Sequence, residues 1–115
     1  MSDCVFCRIV AREIPAREVE RSEEAVAFHD LNPQAPTHVL VVPTTHWENA
    51  AAADSEAGER VLGRLLRFAV GVARRLGLAE AGYRLVLNNG RNGGQSVDHL
   101  HVHVLGGRRM TWPPG

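Results

Sequence analysis

His99-Leu100-His101-Val102-His103-Val104 alternates an imidazole with an aliphatic side chain over six residues. This is the period of a β-strand, whose successive side chains point to opposite faces. The stretch predicts a strand with three histidines on one face and Leu100, Val102 and Val104 anchored in a core on the other. Same-face residues lie about 6.8 Å apart, twice the rise per residue, which suits one phosphate-sized group touched by two neighbours. A purely structural strand gains nothing from three adjacent titratable rings, because protonating one opposes protonation of the next.

The chain of 115 residues has the length of a single domain, residues 1–115, with one real core. A hydrophobic share of 44% with mixed charges marks a globular chain. Thirteen basic residues balance thirteen acidic ones, so no overall field favours a nucleic-acid polymer or an anionic membrane as partner. The first seven residues lack the apolar run of a signal peptide, and nothing elsewhere approaches a membrane span. Two cysteines three positions apart make no disulfide framework, so the expected location is cytoplasmic.

Cys4 and Cys7 have the spacing of half a tetrahedral zinc site, of a redox pair, or of two ordinary thiols with Val5 and Phe6 packed between them. A short helix is expected from about Phe6 to Glu13, stopped before Pro15. Residues 18–22 and 24–30 read as two strands of a hairpin. Residues 30–36, with two prolines, must leave the sheet, and Asp30 there either caps the turn or accepts from sugar hydroxyls. His38-Val39-Leu40-Val41-Val42-Pro43, short and β-branched, is expected to be a central strand with His38 at its start and His46 just past its end.

From Asp54 to Leu76 the period changes to that of a helix, with Val61, Leu65, Ala69, Val72 and Leu76 on one stripe. Asp54 or Ser55 caps its start, and Gly77 ends it. Residues 83–89 form a further strand leading into Gly90-Arg91-Asn92-Gly93-Gly94-Gln95-Ser96, where Gly93 and Gly94 suggest an anion nest. Trp112 in the proline-stiffened tail is expected to pack somewhere. The order predicts an α+β fold with a five-stranded, mainly antiparallel sheet, one long helix and one short.

The chain resembles the histidine triad (HIT) family, whose His-x-His-x-His followed by apolar residues is met by His99 to Leu105. Phe28-His29-Asp30-Leu31-Asn32-Pro33-Gln34-Ala35-Pro36-Thr37-His38, Gly93-Gly94-Gln95-Ser96-Val97, Val104-Leu105-Gly106-Gly107-Arg108 and Trp112-Pro113-Pro114-Gly115 are similar to the nucleotide-binding branch of that family. The resemblance implies a homodimer with a continuous ten-stranded sheet, and hydrolysis of purine nucleoside phosphoramidates, such as those of AMP, and of aminoacyl-adenylates. His101 would be the nucleophile at the α-phosphorus. His103 would hold the phosphate, His99 and His38 would orient the nucleophile and relay protons, and Ser96 would sit near the departing amine. Asn88, Gly94 and Gln95 would help hold phosphate or ribose; Phe28, His29, Asp30 and Leu31 would line the nucleoside pocket. Trp112 would reach the site of the other subunit. More distant relatives imply a structural zinc on Cys4, Cys7, His46 and His99, and no cofactor for catalysis. Asp98 departs from the usual residue type, with its carboxylate expected away from the histidines.

The chemistry agrees with this pattern. An imidazole attacking phosphorus must be neutral at one nitrogen and hydrogen-bonded at the other, while the ring holding phosphate does better as a cation. A departing amine needs a proton, and histidines with loop amides can meet the transition-state charge without a metal. Two alternatives remain: cleavage of dinucleoside polyphosphates by the same nucleophile, and a nucleotide-binding adaptor with incidental hydrolysis.

Overall fold

The computed structural model describes residues 2–115. Five strands, β1 (Glu18–Arg21), β2 (Ala25–His29), β3 (Thr37–Pro43), β4 (Arg84–Val86) and β5 (Val102–Gly106), form one sheet in the order β1-β2-β3-β5-β4. Every neighbouring pair is antiparallel. The hydrophobic run at 39–42 becomes the central strand, buried on both faces, as is the neighbouring β2 from Ala25 to Phe28. β1 and β4 are the edges.

The long helix α2 (Glu56–Arg75) covers one face. Ser55 is its N-cap, its Oγ accepting from the Gly58 amide at 2.9 Å. Glu56 and Glu59 sit at the positive end of the dipole and Arg74 and Arg75 at the negative end. Leu65, Ala69, Val72 and Ala73 pack on Ala25, Ala27, Val39, Val41, Val102 and Val104, so the apolar row of the histidine stretch does anchor the core. Arg64 reaches Glu24 and Arg75 reaches Glu20 from the exposed side of the helix.

The short helix α1 (Val5–Val10) lies on the opposite face, where Phe6 and Ile9 meet Val26, Phe28, Leu40 and Val42. It ends at Val10, five residues before Pro15 and short of the expected Glu13, because the chain turns at Arg12, which takes a positive φ of 60°. A one-turn helix α3 (Gly90–Gly93) replaces the expected loop after β4, and a 3-10 turn (Ala51–Ala53) precedes α2. No helix among the described residues is long and apolar enough to cross a membrane.

The strand at 99–104 is displaced. Regular pairing begins only at Val102, opposite Val41, and of the three triad histidines only His103 lies within β5. The reason is the Leu100 amide, which donates to the Trp47 carbonyl at 2.6 Å and holds residues 99–101 onto the segment after β3. The three rings therefore do not form an even row.

Candidate active site

β3 and β5 place His38 and His103 on the face of the sheet covered by α1, at diagonal positions in the register, since His38 pairs with Leu105 and Leu40 with His103. Their rings touch: His38 Nε2 lies 2.9 Å from His103 Nδ1. His101 stands over His103 at 5.0 Å between ring centroids, and Phe6 of α1 meets the His101 ring edge-on at 5.2 Å. His99 is wholly buried beneath.

Backbone groups decide which nitrogen of each ring carries the proton. A carbonyl only accepts, so His101 donates from Nδ1 to the His99 carbonyl at 2.7 Å, and its Nε2 lone pair stays free. His99 donates from Nε2 to the Pro43 carbonyl at 3.0 Å, leaving its Nδ1 lone pair free. An amide only donates, so His38 accepts at Nδ1 from the Gln34 N–H at 3.0 Å and carries its proton on Nε2. That proton points at His103 Nδ1, with Asp30 Oδ2 3.4 Å from the same nitrogen. His103 must then accept at Nδ1 and carry its own proton on Nε2.

Burial pushes the His103 imidazole down to about 4, helped by the neighbouring His101 and His38, with Asp30 opposing. The same cause lowers His38, again against Asp30. The ring expected to hold phosphate as a cation is thus held neutral, with its tautomer fixed by His38.

A cleft of about 250 Å³ opens beside these rings. His101 and His103 line its inner end; Phe28, Asp30 and Leu31 line one wall, Val5, Phe6 and Ile9 of α1 another, and Ser96 with Val97 the rim. Phe28 is buried at the floor, while Leu31 is 96% exposed at the mouth, an apolar side chain left for a ligand to cover. His29 contributes at the end of β2, although strand alternation assigns its ring to the face of Ala25 and Ala27. The α1 wall was not read from the sequence as part of the site. Its signal was the helical spacing of Val5, Phe6 and Ile9 around the two cysteines.

Several expected residues stand elsewhere. The amide of Gln95 is saturated by backbone: Oε1 accepts from Gly90, and Nε2 donates to Glu48 and Val97. It braces the loop and offers nothing to a phosphate. The Gly93-Gly94 nest is likewise spent, because the Gly94 and Gln95 amides donate to Arg91 and Gly90 carbonyls as the cap of α3. Neither Asn88 nor Gly94 lines the cleft. Trp112 is 83% exposed on its own chain. Arg84 holds the tail through the Thr111 carbonyl at 2.8 Å. Asp98 is exposed.

Cys4, Cys7, His46 and His99 converge below the cleft, with all four donor atoms within 4.8 Å of one another. His99 Nδ1 lies 3.3 Å from Cys4 Sγ, 3.5 Å from Cys7 Sγ and 3.1 Å from His46 Nδ1. Tetrahedral zinc with ordinary Zn–N and Zn–S bonds sets neighbouring donors about 3.3–3.8 Å apart, so the cluster fits that ion closely. The free Nδ1 lone pair of His99 points into it. The redox and plain-thiol readings leave the two imidazoles unexplained. Asp30, His38 and His103 also gather, but the Gln34 N–H on His38 Nδ1 keeps a proton on the nitrogen a metal would need.

A family model described as the HIT domain matches residues 11–110. The chain is 48% identical over 117 residues to the 14 kDa zinc-binding protein of Zea mays, covering 99% of this chain and 89% of that one. It is 45% identical over 117 residues to adenylylsulfatase HINT1 of Arabidopsis thaliana, covering 99% of this chain and 78% of the relative. The crystal structure of a HIT family hydrolase from Legionella pneumophila superposes with a TM-score of 0.94 at 45% identity, covering 98% of this chain and all of that one. With its histidines, fold and cleft in this agreement, the chain belongs to the HIT domain family, in the histidine triad nucleotide-binding branch.

Proposed function

We propose that this protein hydrolyses purine nucleoside phosphoramidates and aminoacyl-adenylates to the nucleoside monophosphate. The observation that carries the reading is the His101 tautomer: Nδ1–H on the His99 carbonyl leaves the Nε2 lone pair at the inner end of a cleft of nucleoside size. Nε2 attacks the α-phosphorus, the P–N bond breaks, and the amine leaves with a proton delivered at the rim, where Ser96 stands. Water then attacks the same phosphorus, the histidine–phosphorus bond breaks, and the monophosphate departs. His103 Nε2–H donates to a non-bridging oxygen through both steps. Asp30 and Leu31 meet the ribose and base.

The name of the Arabidopsis relative favours a second leaving group, sulfate, on the same nucleotidyl intermediate. Parallel turnover of an adenosine phosphoramidate, an adenylyl sulfate and a dinucleoside polyphosphate separates these readings. The first is expected to be fastest, and preference for either other substrate would replace it.

Zinc on Cys4, Cys7, His46 and His99 would supply a rigid tetrahedral joint between α1 and the segment carrying the nucleophile. Burial, and then the neighbouring Cys4, hold the Cys7 thiol above its usual range, and a bound cation would favour its thiolate. The proposed assembly is a homodimer joined at the β4 edge into a ten-stranded sheet, in which Trp112 reaches the partner's cleft.

A further inference from the structure

His103 can hold a phosphate while neutral only if its proton sits on Nε2. That choice is made outside the cleft. His103 accepts at Nδ1 from His38 Nε2, and His38 is forced to carry its proton there by the Gln34 N–H on its Nδ1. Gln34 lies in the loop at 30–36, whose own bonds run from Asn32 N to Asp30 Oδ1 at 2.8 Å and from Gln34 Nε2 to the Asn32 carbonyl at 3.0 Å. The Asp30 N–H, on the His38 carbonyl at 2.9 Å, ties the start of the loop to β3, and none of these bonds holds the Gln34 carbonyl.

One side chain from elsewhere does. Arg108, three residues past Leu105 and on the surface, donates from Nη2 to the Gln34 carbonyl at 3.0 Å and from Nη1 to the Arg109 carbonyl at 3.1 Å. Its approach is set by Gly107, which has a φ of +90° and a backbone so close to Pro36 that a Cβ would stand 2.8 Å from the proline Cβ.

We propose that Arg108 is a positioning residue for the phosphate-holding histidine: by holding the Gln34 carbonyl it restrains the backbone of the residue whose N–H sets the His38 tautomer, and through it the tautomer of His103. The sequence Arg108, Gln34, His38, His103 is a chain of three contacts at 3.0, 3.0 and 2.9 Å. The Gln34 N–H and C=O lie in successive peptide planes joined at its Cα, so without the brace the φ and ψ of Gln34 are free to carry the N–H off His38 Nδ1. Only the Asp30 carboxylate, 3.4 Å from His38 Nε2, then still favours the proton on that nitrogen, and in the share of molecules where it moves to Nδ1, His103 turns from donor into acceptor towards the phosphate, which repels it. The charged and titratable groups facing the pair are Asp30, on His38 Nε2, and His101, on the ring of His103. Neither contacts the brace.

This role rests on the proposed phosphoryl chemistry, but its test does not. Imidazole nitrogen shifts of the full-length, substrate-free protein, labelled with nitrogen-15, read the tautomers directly. His38 and His103 are each expected as a single Nε2–H form. Arg108→Ala is expected to show mixed tautomers at both, with kcat down about tenfold, and Arg108→Lys to restore the single form by donating to the same carbonyl. Gln34→Pro, which removes the N–H itself, must reproduce the mixing. Unchanged nitrogen shifts in Arg108→Ala, or a single Nε2–H form in Gln34→Pro, overturns the proposal. Absence of phosphoramidate turnover in a wild-type protein with the expected tautomers overturns the proposed function instead.

Discussion

His101 hangs by its Nδ1–H from the carbonyl of His99, at 2.7 Å, while the ring of that same His99 points down into the cysteine and histidine cluster. One residue thus joins the aim of the proposed nucleophile to the state of the cluster. Phe6, between the two cysteines, reinforces the link by packing edge-on against both rings, at 5.8 Å from His99 and 5.2 Å from His101.

Metal removal therefore carries a definite expectation. The protein purified without added zinc is expected to contain about one zinc per chain, bound through Cys4, Cys7, His46 and His99. Cys4→Ser and Cys7→Ser are expected to lose the metal, lower the melting temperature and reduce kcat about tenfold or more as His101 loses its fixed aim. Elemental analysis with thermal melts checks this, and a metal-free wild type with full stability would refute it.

Acid stability follows from His38 and His103. Both are lowered in the folded protein, His103 to about 4, so between about 6.5 and 4 the unfolded chain binds protons that the folded one refuses. Their contribution to stability is complete above pH 6.5 and is lost as the pH falls through that window. His103→Gln is expected to flatten the slope of melting temperature against pH between 6.5 and 4. An unchanged slope would contradict the assignment.

Gly58 in the first turn of α2 shows where packing is tightest. A Cβ there would overlap the carbonyl of Ala53. Gly58→Ala is expected to cost about 3 kcal/mol of stability despite its better helix propensity, because backbone on backbone has no rotamer to yield. Gly63, with open space around it, is the control: Gly63→Ala is expected to leave stability unchanged or raise it. Chemical denaturation of the two variants measures the difference.

Trp112 makes the opposite case. It is 83% exposed, so Trp112→Ala is expected to leave the melting temperature of the fold nearly unchanged while raising KM for nucleotide substrates, if the partner's cleft is where the ring lies. Sedimentation of both proteins should give a mass twice the chain's 12.6 kDa. A monomeric wild type would remove that role.

Much of this was readable from residues alone, because periodicity reports burial. The stripe from Val61 to Val72 and the run at 39–42 predicted the long helix and the central strand, and the structure places both there. The apolar row Leu100, Val102 and Val104 was also legible. What alternation could not report was the Trp47 carbonyl, a long-range partner that pulls His99 out of the strand and down to the cysteines. Local glycine content likewise suggested an anion nest at 93–94, whereas those amides cap a one-turn helix. The tautomers depended on single backbone groups, the Pro43 carbonyl and the Gln34 amide, whose side-chain letters carry no trace of the role.

The central claim is that His101 attacks phosphorus. Mixing the protein with an adenosine phosphoramidate, quenching in mild base and measuring intact mass should reveal a transient adduct of one adenylyl group, with His101→Ala giving neither adduct nor turnover. Steady hydrolysis by His101→Ala at an undiminished rate would contradict the account.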